Sequence, residues 1–283
     1  MKVLVTGAHD LVVHGVHEAL RRRGHQVHAL DEMASPSSLR EACRGAGAVV
    51  HMALWRRDLR TRTVRTQALA DTRALLAAVR DAAVPFFVHC SPVGADRSAH
   101  PALRPYRHAE MLVRERSAPW MVLRLAPVYG PRLGLVGTLV ERVRRRQLVG
   151  TLAPMGASLQ PLWVDDCAEL VARAVERPDL ARRSIDVAGP ETWRIRDVLA
   201  CADQLLRRTS RPVEWPAWMM RLSHLAARIE PVLALDASVS RSEMVLVREG
   251  HGVRDPRHQA LQQLFGLDGV MPGDGVARCL ALR

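Results

Sequence analysis

Residues 1–31, MKVLVTGAHDLVVHGVHEALRRRGHQVHALD, constrain the fold more than any other stretch, because they write a strand, a turn, a helix and a second strand in one run. Lys2 to Thr6 is β-branched and apolar, Gly7-Ala8 makes a turn, and Leu11 to Arg23 carries apolar residues at helical spacing. Gly24 then precedes a second strand, Gln26 to Leu30, which Asp31 closes. A strand that returns through a helix to a parallel neighbour predicts an α/β sheet covered by helices on both faces.

The chain has 283 residues, enough for one large α/β unit with a smaller lobe folded on it. It is 48% hydrophobic, yet no apolar run approaches the ~18 residues of a membrane span. The N-terminus enters a strand directly, so neither a signal peptide nor a membrane segment is expected, and the expected location is cytoplasmic. Cys43, Cys90, Cys167, Cys201 and Cys279 are scattered singly, which suits small core residues rather than a disulfide framework. No HxxxH or HExxH spacing occurs, so no metal is expected. The net charge is +12, carried almost wholly by arginine, Lys2 being the sole lysine. Runs such as Arg21-Arg22-Arg23 and Arg144-Arg145-Arg146 fall late in helical segments, where cations complement the helix dipole. Aromatic residues are 4% of the chain and do not interleave with the basic clusters, so a nucleic-acid platform is absent and an acidic ligand or partner fits better.

The opening unit resembles the start of an extended short-chain dehydrogenase/reductase, where TGAxGxxG is expected. In such a dinucleotide site the first glycine turns tightly, the second admits the pyrophosphate, and the third lets the helix pack on the strand. Here Thr6-Gly7-Ala8-His9-Asp10-Leu11-Val12-Val13 puts Asp10 and Val13 at the second and third positions, Gly15 lying two residues too far along. A carboxylate roughly 5 Å from a diphosphate repels each charge by about 3 kcal/mol at an effective dielectric of ~20. Asp31 stands where the family's ribose-binding acid would be, or is an ordinary strand-end acid. Gly7, Ala8 and Asp31 therefore read as vestiges of a cofactor site, and no useful affinity for NAD or NADP is expected.

The resemblance runs on in order. After Asp31 a helix capped by Ser35 or Ser37 starts almost at once, so the family's third strand, with half of its adenine pocket, is missing. Ala48 to Leu54 is a buried strand. TQALADTRALLAAVRDAA, Thr66 to Ala83, resembles the family's NxxGTxxLLxAA, with Ala68 and Asp71 at its Asn and Gly. Pro85 to Ser91 resembles the strand that ends in the catalytic serine, which makes Ser91 a candidate. LRLAPVYGP, Leu123 to Pro131, resembles the LRxxxVYGP turn. Counting back from it puts the family's tyrosine at Ala102 and lysine at Tyr106, or, with a slip of two, at Arg104 and His108. Neither register gives YxxxK, and none can exist: four residues beyond Tyr106 and Tyr129 stand Glu110 and Leu133. In the family that lysine lowers the tyrosine pKa so that the phenol can pass a proton. Asp165-Asp166 matches a VDD turn in which one aspartate caps a helix. Val213 to Leu235 reads as an apolar helical lobe or lid, with Trp215, Trp218 and Met219 clustered. The last residues look like the tail of the atypical branch that includes an accessory subunit of respiratory complex I.

The expected architecture is a Rossmann-like doubly wound parallel sheet with a small C-terminal lobe: residues 1–150 form the core, and 151–283 complete it and supply the lobe. The expected function is a scaffold that has lost Tyr/Lys redox chemistry, needs no cofactor, and binds a small molecule or a protein in its crevice. A cofactor-independent isomerase, cyclase or dehydratase using Ser91, Tyr106 and His108 is the second reading. An NAD(P)-dependent reductase or epimerase with unusual residues is the third.

Overall fold

The computed structural model describes residues 1–7, 11–30, 35–52, 62–146, 150–151, 154–214, 241–249 and 260–281. The first half alternates strand and helix: β1 (Lys2–Thr6), α1 (Leu11–Arg22), β2 (Gln26–Leu30), α2 (Pro36–Cys43), β3 (Ala48–His51), α3 (Arg62–Asp81), β4 (Phe86–Pro92), α4 (Arg104–Arg114) and β5 (Trp120–Leu125). Short strands then interleave with longer helices: β6 (Val128–Tyr129), α5 (Gly134–Arg144), β7 (Gly150–Thr151), β8 (Ser158–Leu159), β9 (Leu162–Trp163), α6 (Val164–Val175), β10 (Arg183–Val187), β11 (Trp193–Arg194), α7 (Ile195–Leu206) and β12 (Val213–Glu214). Two helices near the end, α8 (Arg241–Glu249) and α9 (Pro272–Ala281), complete the described chain.

Six strands form one parallel sheet in the order β10-β5-β4-β3-β1-β2. Successive side chains of a strand point to opposite faces, and the core divides accordingly. Val3, Val5, Val50, Val88, Cys90, Met121, Leu123 and Ile185 join one cluster with α1, α5 and α6. Leu4, Val49, Phe87 and Val122 join the other with α2, α3 and Val113 of α4. This is the doubly wound Rossmann-like fold the sequence predicts. Among the described residues β2 is the edge, and Ser35 caps α2 by accepting from the Ser38 amide at 3.2 Å, as expected for a chain without the family's third strand.

Several local expectations change. Helix α5 begins at Gly134 rather than Thr138, and neither aspartate of the VDD turn is an N-cap: Trp163 holds that position. Asp165 instead accepts from the indole of Trp163 at 2.9 Å, and Asp166 accepts from the Val270 amide at 2.6 Å, pinning the approach to α9. Helix α8 ties the C-terminal part back to the core. The Glu243 carboxylate accepts from the Leu135 amide at 2.8 Å at the start of α5, and Ser98 donates to Glu249 at 2.7 Å. Between them Val245 and Leu246 pack with Ala68, Leu103 and Tyr106. The apolar cluster expected around Trp215 lies outside the described residues.

Val13 is buried in the core cluster, so α1 accommodates a branched side chain where glycine was thought necessary. The tight approach of α1 is made two residues on, where a Cβ on Gly15 would stand 3.2 Å from Cβ of Ala168 on α6. Interiors at that density tolerate added methyl groups poorly. Gly15→Val should therefore cost about 1–3 kcal/mol in urea unfolding; an unchanged midpoint would show that α1 and α6 can part without loss.

Candidate functional site

The carboxyl ends of the parallel strands are where ligands of open α/β sheets sit. On the face covered by α3 and α4, the apolar side chains give way there to a polar row: Thr6 on β1, His51 on β3, His89 and Ser91 on β4, Arg124 on β5 and Asp186 on β10. Alternation fixes their common face, because Leu4, Val49, Phe87 and Val122 precede them on it.

The row begins with a directed chain of hydrogen bonds. Thr72 donates to the Ala68 carbonyl at 2.9 Å, so toward His51, 3.2 Å away, its oxygen accepts. His51 therefore carries its proton on Nε2, and Nδ1 accepts from the Thr6 hydroxyl at 2.8 Å. The His89 ring stacks on that of His51 with centroids 5.2 Å apart. Ser91 Oγ makes no hydrogen bond among the described residues, although the residue is fully buried, and the equally buried His89 ring has at most a weak contact with the His51 backbone. Burial pushes His51 well below the ordinary histidine range and takes His89 down to about 4, against a weaker upward pull from Glu110 and the His51 backbone. On the opposite face burial pushes the Cys90 thiol up to about 12, which leaves it an inert core thiol.

The other half of the row is ionic. Arg124 is nearly buried and grips Glu110 of α4 with two nitrogens, Nε to Oε1 at 3.0 Å and Nη2 to Oε2 at 2.6 Å. Its Nη1 reaches Asp96 at 2.7 Å and Asp186 at 3.4 Å. Arg114 adds a second contact to Glu110 at 3.0 Å, and Arg97 a second to Asp186 at 3.1 Å. The sequence reading found the LR turn but missed this network, whose signal was the charged Arg124 inside an otherwise apolar strand.

The predicted site residues are dispersed. Ser91 is sealed at the end of β4; Tyr106 is buried in the cluster shared by α3, α4 and α8; His108, two residues on, is exposed. The hydrogen-bonded group of Ser91 with Tyr106 or a histidine is not formed, since Ser91 Oγ has no partner among the described residues. Gly7 turns the chain at φ +154° with Met52 against it, and the first turn of α1 contains no acidic residue. Ala8, Asp10 and Asp31 lie outside the described residues. Among the described residues no cluster of His, Cys, Asp or Glu could hold a metal, and no helix is long and apolar enough to cross a membrane.

Removing Arg124 would strand the Glu110 carboxylate in the interior, a change that costs about 3–5 kcal/mol; Arg124→Met should show that loss in urea unfolding, and a loss under about 1 kcal/mol would mean the network is dispensable. The histidines make a separate prediction. Below 6.5 the unfolded chain protonates His89 while the folded chain resists down to about 4, so the unfolded state binds more protons and stability falls as pH drops through that window. For His89 the loss is about 3 kcal/mol. His89→Leu should flatten the dependence of stability on pH between about 6.5 and 4 relative to the parent; parallel curves would place the charge loss elsewhere.

A family model described as NAD dependent epimerase/dehydratase family matches residues 3–188, from β1 to the end of β10. No curated protein matches the chain. Solved structures match its fold over nearly its full length. Citrobacter sp. triphenylmethane reductase superposes with TM-score 0.77 at 14% identity, covering 100% of both chains. The Escherichia coli NADPH-dependent quinone oxidoreductase gives 0.73 at 15%, covering 97% of this chain and 98% of the other. The Thermus thermophilus UDP-glucose 4-epimerase, a complex with NAD, gives 0.68 at 19%, covering 100% of both. A match to a family defined by NAD dependence, with fold relatives captured with NAD or NADP(H), overturns the expectations of a cofactor-free scaffold, of a cofactor-independent enzyme and of a chain outside nicotinamide chemistry. Two described features agree with that correction: Gly7 has a backbone that side-chain-bearing residues avoid, and Val13 is buried where glycine was thought obligatory. With about two-thirds of its length inside the match, the chain belongs to the NAD-dependent epimerase/dehydratase family.

Proposed function

We propose that this chain is an atypical NAD(P)-dependent reductase or epimerase acting on a small molecule in the crevice beyond the carboxyl ends of β1, β3, β4 and β5. The observation that carries this reading is the backbone of Gly7 at the carboxyl end of β1, just ahead of α1. Gly7 adopts a backbone that side-chain-bearing residues avoid, and a Cβ there would press on Met52 at 3.2 Å. Helix α1 begins at Leu11 with no acid in its first turn, Asp10 just before it lying outside the described residues, and the N–H groups and dipole of a helix start favour an anion. Gly7 and the start of α1 would hold the pyrophosphate. A nicotinamide dinucleotide bound there supplies hydride chemistry.

The departure from the usual pattern concerns the proton. Without YxxxK, we assign the proton step to Ser91 at the carboxyl end of β4, Tyr106 being buried in the apolar cluster of α3, α4 and α8. Residues 1–150 then serve as the Rossmann-like core, and residues 151–283 complete it and add the small substrate lobe. The tail's resemblance to the branch containing the complex I accessory subunit supports placing the chain among atypical members rather than Tyr/Lys epimerases.

Titration with NADH and with NADPH, followed by nicotinamide fluorescence, tests the reading. One of the two should bind in the micromolar range, and Gly7→Val should weaken it at least about tenfold, since one factor of ten corresponds to ~1.4 kcal/mol. Failure of both dinucleotides to bind at millimolar concentration would sink the proposal.

A further inference from the structure

Met244-Val245-Leu246-Val247 is an unbroken apolar run inside α8, and at about 100° per residue four in succession point all the way round a helix. Such a helix needs apolar neighbours on every side. It has them: Met244 and Val247 join the cluster that holds α5 and α6, while Val245 and Leu246 join Ala68 of α3, Leu103, and Tyr106 and Ala109 of α4. All four are no more than 4% exposed. Helix α8 is thus wedged between α5 on one side and the face of α3 and α4 on the other.

The ends of this wedge are fastened beyond the carboxyl ends of the central strands. At its start Glu243 accepts from the Leu135 amide at 2.8 Å, on the chain leaving β5 and β6, and at its end Glu249 accepts from Ser98 at 2.7 Å, on the turn leaving β4. Ala95 of that turn belongs to the same cluster as Val245 and Leu246. Ser91 is fully buried, and its Oγ is out of reach of solvent. A hydroxyl that passes a proton to a substrate has to touch it.

We infer that α8 is a withdrawable wedge that closes the crevice over the end of β4, and that a substrate reaches Ser91 only when α8 leaves. This rests on the reading of Ser91 as the group that handles the proton. The construction suits such a part. Helix α8 gives no strand to the sheet, so its departure breaks no ladder hydrogen bond. Its 9 residues fall short of the ~12–15 that a helix needs to persist alone, so packing and the bonds of Glu243 and Glu249 hold it in place. An element held in that way opens as a unit, at lower cost than the sheet beneath it.

Hydrogen–deuterium exchange of the full chain, read by mass spectrometry, tests the movement without a substrate. Amides of residues 245–249 should exchange at least about tenfold faster than those of β4. Glu243→Ala should speed them by about tenfold more, the factor that one hydrogen bond to a charged group supplies, with β4 unchanged. Ser98→Ala loosens the other end and serves if Glu243→Ala does not fold. The link to the site is read from a thiol introduced by Ser91→Cys: its labelling by a small thiol reagent should rise by the same factor in the Glu243→Ala background, while Cys90 on the opposite face of β4 stays unlabelled. Exchange of α8 in step with β4, or labelling at position 91 that ignores the loosening, would overturn the inference. Titrations with NADH and NADPH on the same samples keep it apart from the proposed function: a bound dinucleotide with α8 and β4 exchanging together defeats the wedge alone, and independent exchange of α8 with no dinucleotide bound defeats the proposed function alone.

Discussion

The Arg124–Glu110 pair is the interaction on which the carboxyl end of the sheet depends. Arginine on a central strand can be buried only if its charge and its fork of donors are answered, and the answers come from three directions: Glu110 on α4, Asp96 in the loop after β4, and Asp186 on β10. One guanidinium thereby fixes the position of α4 relative to the strands that carry Ser91 and His89. Helix α4 has no side-chain N-cap, its first residues following Leu103 without one, so its placement rests on this pair and on the packing of Tyr106 and Val113.

The polar row also explains why the two ends of the sheet behave differently. Toward the amino ends the central strands β3, β4 and β5 are apolar on both faces, and there the sheet is a sandwich of hydrophobic layers. Toward the carboxyl ends one face changes to hydroxyl, imidazole and guanidinium groups while the other, with Cys90, Leu123 and Leu125, stays apolar. Burial of that polar face is tolerable because threonines and carboxylates satisfy most of it. Ser91 stands out as the hydroxyl of that face left over.

Much of the fold was legible in the sequence. The apolar runs placed β1 and β2 at their expected bounds, with β3 spanning Ala48–His51 within the expected Ala48 to Leu54 and β4 running Phe86–Pro92 rather than Pro85 to Ser91. Boundaries set by long-range partners were not legible. The start of α5 at Gly134 is stabilised by Glu243, more than a hundred residues away, and Asp166 is used by the Val270 amide rather than as a cap. Reading Asp10 and Val13 as fatal to cofactor binding treated the glycine pattern as a rule about residue types. The family match overturns that reading; in the structure Val13 is buried in the core and the close helix approach falls at Gly15 against Ala168, while Asp10 lies outside the described residues. For the site, sequence spacing located Ser91 and Tyr106 but could not show that His108 turns outward, nor that two histidines on adjacent strands stack.

The clamp made by α8 has a consequence for how the molecule is made. Tyr106 is walled by Ala68 and Leu103 from one end of the chain and by Val245 and Leu246 from the other. On a ribosome, the six strands of the main sheet are all synthesised by Val187, and the sheet can assemble while the remainder is still being translated. Throughout that interval Tyr106 lacks the wall that Val245 and Leu246 supply, and the Leu135 amide at the start of α5 lacks the Glu243 carboxylate. A chain halted before α8 would thus hold a sheet whose Tyr106 is closed on one side and open on the side that Val245 and Leu246 cover in the finished fold.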